Sequence, residues 1–85
     1  MPDVREVHVE ITTRSDGRAY ARSEELPGLI LSDDNQAALL PIIGSTIEAL
    51  YEHSGHRKPS VTLESSNTIA GQTTHQVYSV TFGDL

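Results

Sequence analysis

Only one stretch of this 85-residue chain carries apolar residues at helical spacing, and that stretch constrains everything around it. Leu39, Leu40, Ile43, Ile47, Leu50 and Tyr51 recur at three- and four-residue intervals between Asp33-Asp34-Asn35 and Ser54-Gly55. A lone amphipathic helix cannot bury its own apolar stripe, so it must lie on another element. The flanking segments alternate with period two, which makes that element a β-sheet. Asp33, Asp34 and Asn35 are N-cap residue types whose oxygens accept the free N–H groups of a first turn, and the two carboxylates complement the helix dipole. Gly55 supplies a C-cap glycine, with His53 in the last turn. Pro41, sixth from Gln36, predicts either a kink near Ala37 or a separate short first turn. Gly44 weakens the helix by about 1 kcal/mol relative to Ala unless it permits close packing on the sheet.

Val7, Val9 and Ile11 alternate with His8, Glu10 and Thr12, a strand with one buried and one wet face. Asp16-Gly17 is a strong hairpin signal and leads to an antiparallel second strand over Arg18 to Ser23. Either face of that strand can be the buried one: Ala19 and Ala21, which would leave room for a helix, or Tyr20 and Arg22. Residues 24–28 form a corner in which Pro27 fixes φ and Gly28 can take φ > 0, a pairing that suits a type II turn. Leu29 to Ser32 is a short apolar third strand. After Pro59, Val61 and Leu63 alternate with Thr62 and Glu64 as a fourth strand. Ser65 to Thr74 is polar and reads as a loop, and residues 75–82 form an additional C-terminal strand. The expected fold is one α+β domain over residues 1–85: an antiparallel sheet with one helix on a face, in the order β-β-β-α-β-β. Val7, Val9, Ile11, Leu29, Leu31, Ile43, Ile47, Leu50 and Val61 are the expected core.

One Phe and no Trp leave this core dependent on Val, Ile and Leu, so stability is modest and a second copy of the chain would add burial. A homodimer is therefore expected, with the last strand as a candidate edge. The absence of Cys excludes disulfides, cysteine-ligated zinc and thiol catalysis. Residues 1–10 lack the apolar region of a signal peptide and no run reaches membrane-spanning length, so a cytoplasmic location is expected. A net charge of −6, with only six Lys and Arg, argues against a nucleic-acid surface and points to a basic partner.

Candidate chemistry is sparse. His53 and His56 have i, i+3 spacing, but Gly55 ends the helix between them and no third ligand follows, so helix-end histidines favourable to the dipole are the simpler reading. Ser45 lacks a Gly-x-Ser-x-Gly elbow. Asp33 and Asp34 are adjacent and point apart, with capping as a sufficient role. Hydrolysis by acids converging on magnesium needs several strands to supply them, and only Glu10 is suitably placed. No enzyme activity and no cofactor or metal are expected.

The segment from Val7 to about Leu63 resembles the HicB-like antitoxin family. The likeness rests on the acidic-Gly hairpin, the run Ser23-Glu24-Glu25-Leu26-Pro27-Gly28 between two strands, the apolar strand after it, the acidic helix start, the Leu-rich helix and the Pro-led strand at Pro59 to Leu63. It implies a partial RNase-H-like domain that occludes a small basic RNA-cleaving toxin of HicA type. Ala19 stands where the family usually carries an aromatic, Asn35-Gln36 replaces a common Thr-Leu opening, and residues 65–85 have no counterpart. No helix-turn-helix or ribbon-helix-helix segment follows, so DNA binding is not implied.

Glu24, Glu25, Leu26, Pro27 and Gly28, with Asp33 and Asp34, are the candidate partner-binding residues. Glu24 and Glu25 flank an apolar Leu26, expected to be exposed, and a rigid Pro27, an anchor with a charged rim. Asp33 and Asp34 have helix capping as an equally good explanation. The expected function is a non-catalytic module that masks a small basic toxin. The alternative is a structural or regulatory homo-oligomer with no toxin partner.

Overall fold

The computed structural model describes residues 4–69 and 73–83. Five strands form one sheet, β1 (Val4–Thr13), β2 (Ala19–Arg22), β3 (Ile30–Asp33), β4 (Ser60–Ile69) and β5 (Thr73–Thr81), and α1 (Gln36–His53) connects β3 to β4. Every neighbouring pair is antiparallel, in the spatial order β3-β2-β1-β5-β4. The α+β class, the element order and the helix on one face are as the sequence indicates.

The β1–β2 hairpin closes where Asp-Gly places it. Arg14 C=O accepts from Gly17 N–H at 2.9 Å, and Asp16 Oδ1 accepts from Arg18 N–H at 3.0 Å. Gly17 sits at φ +92°, a conformation that disfavours a side chain. On β2 the alanine face is the buried one: Ala19 and Ala21 lie in the core, and Tyr20 and Arg22 point away. Small side chains there let the helix approach β2 closely.

Helix α1 buries Leu39, Ile43, Ile47 and Tyr51 against Val7, Val9 and Ile11 of β1, Leu29, and Tyr78 and Val80 of β5. Leu31, Leu50 and Val61, expected as core, are partly buried at its margin. Asn35 is the N-cap, its Oδ1 accepting Ala38 N–H at 2.9 Å. Asp33 and Asp34 fall outside that role, because Asp33 is the last residue of β3 and no acid lies in the first turn. The helix runs through Pro41 without a separate first turn. Its other end closes through Gly55 at φ +99°, with Gly55 N–H donating to Glu52 C=O and His56 N–H to Tyr51 C=O, each at 3.1 Å.

Three further expectations change. Residues 65–69 continue β4 and Thr73 and Thr74 begin β5, so the polar run is mostly a strand pair; residues 70–72 lie outside the described residues. Its Ser and Thr side chains suit an exposed pleated surface, and composition alone mistook them for a loop. β5 does not form an edge: it pairs with β1 on one side and β4 on the other. The Pro27-Gly28 turn is closed by Leu29 N–H donating to Leu26 C=O at 2.8 Å, but Gly28 is not at positive φ, so the turn is not type II. A Cβ on Gly28 would meet Leu50 Cδ2 at 3.1 Å, so glycine there serves the close approach of the helix.

Among the described residues no helix is long and apolar enough to cross a membrane.

Candidate functional site

Because α1 covers one face of the sheet, the polar residues of each strand collect on the other. His8 and Glu10 from β1, Arg22 from β2 and His75 from β5 all project there, since their neighbours Val7, Val9, Ala21, Thr74 and Gln76 point to the helix. Register aligns them: Glu10 lies opposite Arg22 on one side and opposite His75 on the other. Arg22 reaches the Glu10 carboxylate at 3.6 Å.

At one end of this row β2 leaves β1 and turns into the acidic corner, opening a depression of about 320 Å³. It is lined by His8, Val9, Glu10, Arg22, Glu24, Glu25 and His75. Three carboxylates face one guanidinium there, which leaves the depression negative when its two histidines are neutral. Beside it, a second depression of about 300 Å³ is lined by Glu10, Thr12, Arg14, Tyr20 and Arg22. The Arg14 guanidinium lies 5.2 Å from the centre of the Tyr20 ring.

Glu25 builds the acidic end. Its Oε1 accepts His8 N–H at 3.1 Å and the Ser23 hydroxyl at 3.1 Å, and its Oε2 lies 2.6 Å from His8 Nδ1. A backbone N–H of β1 that β2 no longer reaches is thus satisfied by a side-chain carboxylate. Burial alone would raise the Glu25 pKa, but the His8 ring, the His8 backbone and Ser23 outweigh it and hold the carboxyl down at about 2. The hydrogen bond that the His8 ring donates to Glu25, reinforced by the charges of Glu25 and Glu6, raises the His8 pKa against the smaller opposing effect of burial. Glu6 lies 3.4 Å from His8 Nε2.

The residues singled out in the sequence are distributed differently from the expected anchor and rim. Glu24 is exposed at the depression, and Glu25 is committed to His8 and Ser23. Leu26 is not an exposed anchor: it packs against the core, because the turn at Pro27 folds it inward beneath the corner. Pro27 is exposed, and Gly28 faces Leu50. Asp33 and Asp34 lie at the far end of β3, where Asp33 pairs with Ala19, while the corner adjoins Ile30 and Arg22. The two acidic groups are therefore separate. His8, Arg22 and His75 are not among the sequence candidates, although the alternation of β1 already put His8 on the wet face; for Arg22 the pattern of β2 left the buried face open.

His56 is engaged elsewhere, stacked on Phe82 at 4.2 Å between ring centres and edge-on to Tyr51 at 5.5 Å. Among the described residues no group of three or more His, Cys, Asp or Glu could hold a metal ion. Comparison with family models, curated proteins and solved structures gave no match to this chain.

Proposed function

We propose that this chain is a non-catalytic protein-binding module, of the stand-alone antitoxin kind its HicB-like stretch implies. Its acidic depression takes a Lys or Arg side chain of a small basic RNA-cleaving protein. The observation that carries this reading is the lining of that depression, where Glu25 pairs with His8 and Glu10 with Arg22 while the exposed Glu24 carboxylate stands beside them on an open sheet face. Glu25 is held ionised by its hydrogen bonds, so its charge persists through ordinary pH. Glu24 supplies the accessible charge, while Glu10 is paired with Arg22 and Glu25 and His8 hold the corner in place. This division of labour differs from a rim made of both glutamates.

The test uses a small basic protein encoded next to this chain's gene, where the genome supplies one. Glu24→Lys should slow association several-fold at low salt and flatten its salt dependence, because exposed charges act mainly by steering. The circular dichroism spectrum should not change, since Glu24 is exposed and outside every strand and helix. Unaltered association rates would place the interface away from the depression.

A further inference from the structure

The two edges of the sheet are built differently. β3 has four residues, starts just after the Pro27-Gly28 turn and ends in the carboxylate of Asp33, all features that discourage strand addition. β4 has ten residues, contains no Pro, Lys or Arg, and is exposed along its length except at the half-buried Val61. Its outer side has no partner strand among the described residues. Leu63 and Ile69 add apolar surface, 48% and 56% exposed.

β4 also carries a bulge. Leu63 lies opposite Tyr78 and Ser65 opposite Val77, so Glu64 is the inserted residue. Val61, Leu63, Ser66 and Thr68 therefore share the helix side with Val80, Tyr78, Gln76 and Thr74, whereas Ser60, Thr62, Ser65, Asn67 and Ile69 share the open side. A regular strand that pairs antiparallel with its own copy keeps side chains on matching faces only when paired residue numbers sum to an even value. The bulge reverses parity halfway along β4. One odd register then matches every residue: Ser60 with Ile69 of the copy, Val61 with Thr68, Thr62 with Asn67 and Leu63 with Ser66. The two bulges meet at the twofold axis.

We propose that β4 is the homodimer edge, pairing antiparallel with β4 of a second copy in this register to make one ten-stranded sheet. A strand from a basic partner would find only one charge on β4, whereas a second copy finds a full-length match. Glu64, near the axis, is drawn back over its own sheet by the Ser79 hydroxyl, which donates to its Oε1 at 2.7 Å. That posture moves the like charges of the two copies off the edge. A specific dimer buries about 800 Å² per partner, which favours a register using the whole strand, about 33 Å long, over one using half of it. Only β5 separates this edge from the body of the acidic depression, and its His75 both lines the depression and lies opposite Asn67. The outer hydrogen-bonding side of β4 and the Glu24 corner are nevertheless read by separate assays, so either proposal can fail without the other.

Sedimentation equilibrium of the full chain into the high micromolar range tests the dimer, and charge pairs test its register. Thr62→Lys with Asn67→Lys places like charges opposite each other twice across the axis and should weaken the dimer. Thr62→Lys with Asn67→Glu should retain it, the two dissociation constants differing by at least about tenfold. Both positions are exposed, and melting curves check that each variant folds. A monomeric wild-type chain, equal self-association of the two variants, or loss of the dimer in both folded variants would overturn the proposal.

Discussion

Glu25→Ala separates a structural carboxylate from a merely solvating one. The substitution removes three hydrogen bonds, from His8 N–H, His8 Nδ1 and Ser23 Oγ. The His8 side chain is 58% exposed and that of Glu25 37%, so the ion pair itself is screened. After that discount, the backbone and hydroxyl hydrogen bonds bring the expected loss to about 1–2 kcal/mol. For a domain of this size the melting temperature should drop by roughly 5–15 °C. The pH dependence is more diagnostic than the size. His8 has its pKa raised from 6.5, so its contribution is complete below pH 6.5 and is lost as pH rises through the folded value. Glu25 is lowered from 4.5 to about 2, so its contribution is complete above pH 4.5 and is lost as pH falls towards 2. The stability difference between wild type and Glu25→Ala should therefore peak between pH 4.5 and 6.5 and shrink on either side. Above that window a remainder persists, because ionised Glu25 still accepts His8 N–H and the Ser23 hydroxyl. Melts by circular dichroism from pH 3 to pH 9 measure it. A difference that is flat with pH, or that grows above pH 7, would refute the pairing.

Other substitutions probe the helix and its packing. Ile47 is fully buried, so Ile47→Ala should cost about 2–5 kcal/mol, read as a shift in the urea midpoint; an unchanged midpoint would mean that this helix face is not against the sheet. Gly44 lies inside α1, and a Cβ there would meet nothing within 4 Å, so Gly44→Ala should stabilise by about 0.5–1 kcal/mol, a gain in the same denaturation assay. Gly28→Ala should do the opposite, since its Cβ would press on Leu50 at 3.1 Å; equal stability would show that Leu50 moves aside freely.

Much of this architecture is legible in local pattern. The period-two alternation at Val7-Val9-Ile11 and the i, i+4 series Leu39-Ile43-Ile47-Tyr51 each identify a buried face without tertiary information, and Asp-Gly and Ser-Gly mark the turn and the helix stop. The failures share a cause. Residues 65–69 have no alternation, because a strand at the margin of the helix is wet on both faces and selects for neither. The central position of β5 is a matter of long-range pairing, which no short window contains. Gly28 does sit in the turn, but without positive φ, and what calls for glycine there, the Leu50 side chain, is 22 positions away in the chain. The acidic corner was visible as composition but not as geometry. Glu24 and Glu25 are adjacent in sequence, yet one faces open solvent and the other substitutes for a missing strand carbonyl at His8.

What the open face of the sheet binds decides the function of this domain. The direct measurement is a nitrogen-15 correlation spectrum of the labelled chain, titrated with a small basic protein encoded beside its gene, where the genome supplies one. The account predicts saturable shifts concentrated at His8, Glu10, Arg22, Glu24 and His75, with little change at Asp33, Asp34 or along α1. Shifts confined to the helix surface or to the Asp33 end of β3, or a spectrum unmoved by excess partner, would contradict it.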